Sequence, residues 1–121
     1  MYHPARYREP MTTTDLAGLP AEIAAALARA GLAQDAACDA AEIPRTSYYR
    51  RKATPGAWYL GELDRFLAVA DVALGVQIGP LELDRDTSSP LPRMRLDELD
   101  AIARAADVTL RLVLERVSID G

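Results

Sequence analysis

The chain has 121 residues, 50% of them hydrophobic and 26% charged, which fits one globular domain and excludes a disordered chain or two large independent domains. A single cysteine excludes an internal disulfide framework and makes a reducing cytoplasm the expected location. No apolar run approaches the ~20 residues of a membrane span, and the first turns of the chain lack the apolar segment of a signal peptide, so no membrane partner is expected.

Residues 1–18 carry scattered prolines and threonines without periodicity and are expected to form a flexible arm. His3, Arg6 and Arg8 would suit such an arm to contact a polyanion, but a frayed terminus is the simpler explanation. Pro20 then opens a helix, Ile23, Ala26, Leu27 and Ala30 recur at helical spacing, and Gly31 stops it.

Two short helices follow, Gln34 to Ala41 and Pro44 to Ala53, joined by a tight turn. Ala37, Cys38, Ala41, Ile43 and Tyr48 fall where two such helices must touch. The second helix carries Arg45, Arg50, Arg51 and Lys52 and no acidic residue. Thr54-Pro55-Gly56 breaks it, and a fourth helix over about Trp58 to Ala70 is striped with Leu60, Leu63, Leu67 and Ala70, with Phe66 alongside and Trp58 as a core anchor.

From Val72 to Ile78 apolar residues alternate, which predicts a strand ended by Gly79-Pro80. Asp84 to Pro92 reads as an exposed loop. The segment Leu60 to Ile78 then aligns without gaps to Leu96 to Leu114, 36 residues on, with Leu60/Leu96, Glu62/Glu98, Leu63/Leu99, Asp64/Asp100 and Ala70-Asp71-Val72/Ala106-Asp107-Val108 identical. A helix-plus-strand unit therefore occurs twice, too few copies for a solenoid. Strand, helix and strand in one chain favour parallel pairing by a right-handed crossover. Two strands alone are marginal. Val108, Leu110, Leu112 and Leu114 are thus expected to pair with a second subunit and form a homodimer, the alternative being that the strand and helix cap the core of the four preceding helices.

The net charge of −4 divides unevenly. Residues 1–60 carry seven cations against six anions, and residues 61–121 seven against twelve. Between Ile43 and Tyr59 there are four cations and no anion. Phosphate binding responds to that local field rather than to the sum.

The stretch QDAACDAAEIPRTSYYRRK, Gln34 to Lys52, resembles the helix-turn-helix of the lambda-repressor and Cro-like (Xre-like) transcriptional regulators. Gln34 falls at that family's opening glutamine, Cys38 at its small-residue position, Ile43 after the turn and Tyr48 at the buried position of the recognition helix. Glu42 departs from the pattern, standing where the family has glycine, and must accept a positive φ or reshape the turn at a cost of about 1 kcal/mol. The resemblance covers about Leu19 to Leu74.

The expected fold is mostly α with a small β element: an arm (1–18), a four-helix helix-turn-helix head (19–71), and a strand, linker and helix-strand dimerisation extension (72–121). The resemblance implies a homodimeric repressor of phage or prophage type that occupies double-stranded DNA. Arg45, Thr46, Ser47, Tyr49 and Arg50 would then read bases or neighbouring phosphates, and Gln34, Arg51 and Lys52 would hold the backbone. Two alternatives stand beside it, an antitoxin that binds a toxin through its C-terminal extension and a protein-interaction module that no longer binds DNA. Catalysis, cofactors and metals are not expected: the one histidine is isolated in the arm, and neither a metal-ligand cluster nor a phosphate loop is present.

Overall fold

The computed structural model describes residues 12–83 and 93–117. The expected arm residues His3, Arg6 and Arg8 and the loop Asp84 to Pro92 lie outside them. Strand β1 (Thr12–Thr14) precedes helix α1 (Leu19–Ala30), so the end of the expected arm is a strand. Helix α1 buries Leu19, Ile23, Ala26 and Leu27, and Gly31 ends it at φ 69°, where its N–H donates to the last turn.

Helix α2 (Gln34–Ala41) ends at Glu42, which adopts φ 59° and ψ 44°, the left-handed conformation. There the Ile43 N–H donates to the Cys38 carbonyl at 2.9 Å, closing the reversed last turn that a glycine usually makes. Pro44, at φ −56° and ψ 137°, launches helix α3 (Arg45–Ala53) in a new direction. A 3₁₀ turn at Pro55–Ala57 leads to helix α4 (Leu60–Val69). That turn packs closely on the start of helix α5 (Leu96–Ala105): a Cβ on Gly56 would stand 2.9 Å from that of Asp97.

Strands β2 (Val72–Ile78), β3 (Leu81–Leu83) and β4 (Leu110–Arg116) join β1 in one sheet of order β1-β4-β2-β3. Every neighbouring pair is antiparallel. The parallel β2–β4 pairing expected from the sequence is therefore corrected. The physical reason lies in how the two repeats meet. Val76 pairs with Leu112, and Tyr59 bridges Arg95; within each pair the two residues hold the same repeat position, 36 residues apart. Around the bridge the hydrogen bonds are reciprocal, Leu60 N–H to the Met94 carbonyl and Leu96 N–H to the Trp58 carbonyl, both at 2.8 Å. The copies are thus exchanged by a local two-fold rotation. A two-fold reverses strand direction, whereas a parallel crossover requires a near-translation.

The units match in detail. Glu62 and Glu98 each accept the backbone N–H at the start of their own helix, at 3.5 and 2.8 Å from the Tyr59 and Arg95 nitrogens. Asp71 and Asp107 each take φ 59° where helix passes to strand.

This two-fold lies inside one chain, where the sequence had suggested one between subunits. Strand β4 has β1 on one side and β2 on the other, and Leu110, Leu112 and Leu114 are buried in the chain's own core. Val108 precedes the strand and is half-buried against that core. These four residues are therefore not a strand edge awaiting a second subunit. One hydrophobic cluster runs from Leu19 through Phe66 and Leu67 to Leu114, so the boundary expected at 71/72 is not a boundary in packing. Helix α4 joins the parts, touching β2 and α2. Among the described residues, no helix is long and apolar enough to cross a membrane.

Candidate functional site

Helix α3 buries only Tyr48. Its ring stacks on Phe66 at 5.0 Å between centroids and meets Trp58 edge-on at 6.2 Å, so an aromatic cluster fixes how α3 sits. With one residue fixing the inward face, helical spacing sorts the others into three stripes.

The first stripe, Arg45, Tyr49 and Lys52, faces α2. Arg45 spans two aspartates one turn apart, with Nη2 3.0 Å from Asp39 Oδ2 and Nη1 3.5 Å from Asp35 Oδ2. The Tyr49 hydroxyl donates to Asp35 Oδ1 at 3.2 Å, and Lys52 Nζ stands 3.5 Å from Gln34 Oε1. These contacts are solvent-exposed, yet they shift the titration of Arg45 and Tyr49. The hydrogen bond to Asp39, and then the charge of Asp35, push Arg45 upward. The Tyr49 phenol is likewise raised, first by its hydrogen bond to Asp35 and then by that charge.

The second stripe, Ser47 and Arg51, lies toward α4. Arg51 donates to both carboxylate oxygens of Glu62, at 2.9 and 3.4 Å, and its guanidinium carbon is 6.0 Å from the Tyr59 ring centroid. The Arg51 and Glu62 side chains are 14% and 18% exposed, which makes this a partly buried structural pair. Ser47 is half-buried. The third stripe, Thr46 and Arg50, is exposed, and among the described residues no ion-pair partner holds Arg50.

The structure therefore brings Gln34, Arg45, Tyr49 and Lys52 together with Thr46 and Arg50 on one exposed surface and assigns Arg51 to the α3–α4 contact. Asp35 and Asp39 were missed as members of the surface. Their signal was present: acids four residues apart on the first helix match Arg45 and Tyr49, four apart on the second. Arg65 was missed as well; its Nε donates to the Ala41 carbonyl at 2.8 Å and caps α2 where it turns toward α3.

Cys38 is buried beneath the surface, and burial, aided by Asp35 and Asp39, pushes its thiol upward, away from the reactive thiolate. Among the described residues no group of three or more His, Cys, Asp or Glu side chains is placed to hold a metal ion. A groove of about 430 Å³ runs between Asp15–Ala17 and Val108–Leu110, and another of about 230 Å³ is lined by α1 and Arg116; neither includes α3.

No family model matches the chain, and no curated protein or solved structure does so either.

Proposed function

We propose that the protein is a double-stranded-DNA-binding transcriptional regulator that acts by occupancy, with α2 and α3 as its helix-turn-helix and α3 entering the major groove. One observation carries this reading. Tyr48 is the one buried side chain of α3, and Thr46, Tyr49, Arg50 and Lys52 are exposed on a helix that has four cations and no acid. Thr46 and Arg50 suit base edges, and Lys52 and Gln34 suit the sugar-phosphate backbone. With β2 and β4 paired inside the chain, each protein presents one head to one half-site. A two-fold operator would be filled by two copies whose half-sites lie about 34 Å apart.

Selection of bound sequences from a random duplex library tests this. The reading expects an enriched motif whose recovery falls steeply with salt; absence of enrichment at any salt contradicts it.

The ion pairs of Arg45 with Asp35 and Asp39 favour a second reading, a protein-interaction module in which α2 neutralises α3. This alternative expects no duplex affinity even at low salt and a stoichiometric protein partner instead.

A further inference from the structure

We propose that Asp35 and Asp39 are specificity-determining residues of the DNA-binding surface: they hold Arg45 and Tyr49 away from phosphate and so suppress binding to random DNA. This inference rests on the DNA-binding reading. Arg45 stands at the start of α3 with Nη2 3.0 Å from Asp39 and Nη1 3.5 Å from Asp35, and the Tyr49 hydroxyl shares Asp35 at 3.2 Å.

A phosphate drawing Arg45 toward itself must break both contacts. It leaves two carboxylates uncompensated beside the DNA polyanion, so a contact made to phosphate alone is nearly cancelled. A base edge is different. An exocyclic amino group, such as that of cytosine, can donate to the released aspartate while Arg45 and Tyr49 engage neighbouring acceptors, so each broken contact is replaced. The aspartates thereby lower affinity for every sequence but lower it least for the correct one. Arg50 and Lys52, untouched by either aspartate, supply the residual attraction that keeps the protein on DNA.

The test compares the full chain with its Asp35→Asn/Asp39→Asn variant on a random duplex and on the library-selected duplex, across a salt series. Expected are a roughly tenfold gain in random-duplex affinity at low salt, a smaller gain on the selected site, and a log–log salt slope steeper by about one, the counterion equivalent of a single freed arginine. Adding Arg45→Ala should return the slope to the wild-type value. Asp39→Asn alone leaves the first turn of α2 unaltered and should give part of the gain, which keeps the proposal testable if the double variant folds poorly. Measurable wild-type binding with a gain on random DNA below about twofold overturns the specificity role and leaves the DNA-binding reading standing. If wild type and variants all fail to bind any duplex at low salt, the DNA-binding reading itself falls, and this inference falls with it.

Discussion

Val76 and Leu112 face each other across the β2–β4 pair, and each is the other's counterpart in the repeat. Both are buried, at 4% and 0% exposure, so the local two-fold passes through packed core. Directly opposed apolar residues on an antiparallel pair interact by about 0.2–1 kcal/mol beyond their separate burial. A double-mutant cycle with Val76→Ala and Leu112→Ala, read by urea unfolding, should show coupling in that range. A cycle of Val76 with Leu99, whose repeat counterpart is Leu63, tests whether the coupling is particular to the opposed pair. The account expects the second coupling to be smaller.

Among the described residues three acidic side chains sit on left-handed backbone, Glu42, Asp71 and Asp107, all at φ 59°. Aspartate tolerates this conformation better than glutamate does, because its short side chain can bond locally. Glu42→Gly should therefore stabilise the protein by about 0.5–1 kcal/mol, more than Asp71→Gly or Asp107→Gly, because the relief of strain is offset in part by glycine's greater unfolded-state freedom. Thermal unfolding of the three variants checks the order.

Arg50 and Arg51 are neighbours in opposite settings, the first exposed and the second paired with Glu62. Arg51→Ala leaves the partly buried Glu62 without its cation and should cost about 1–3 kcal/mol of stability. Arg50→Ala should change stability by no more than about 0.5 kcal/mol, since exposed positions away from special contacts rarely do more. Urea denaturation of both variants distinguishes them, and equal losses would contradict the assignment of Arg51 to structure.

The buried Cys38 thiol makes stability depend on alkaline pH. Its folded pKa is raised by burial, so the unfolded chain loses the proton first. The contribution is fully present below the unfolded thiol's ordinary value of about 8.5 and is lost as pH rises through the higher folded value. Over that window the slope is at most about 1.4 kcal/mol per pH unit. Cys38→Ala should flatten it while lowering stability at neutral pH. Denaturation at a series of pH values from neutral to alkaline reads both effects.

Much of the architecture was readable in the sequence because local signals carried it. Gly31 marked the end of α1, the 3.6-residue stripe of Leu60, Leu63 and Leu67 marked α4, and the alternation from Val72 to Ile78 gave β2 its full span. The Glu42 turn was readable too, and of the two outcomes left open there, a positive φ or a reshaped turn, the chain takes the positive φ. Strand direction was not. It depends on how the repeats rotate about the Tyr59–Arg95 bridge, a contact between distant residues that periodicity cannot express. Strands β1 and β3 are three residues each, too short for a pattern. At the candidate site the α3 sequence revealed which residues are cationic but not which are engaged. That was set by α2 and α4, which place Asp35, Asp39 and Glu62 against three of its side chains.

Duplex binding by the exposed stripe of α3, as proposed above, is tested most directly by the salt dependence of that binding. Fluorescence anisotropy with a library-selected duplex, for wild type and Arg50→Ala across a salt series, should show affinity falling with salt. The Arg50→Ala variant should lose about 1–3 kcal/mol on the selected site if Arg50 reads a base, and less on random DNA. Equal affinity of wild type and variant on the selected duplex, or no measurable binding by wild type at low salt, would contradict the account.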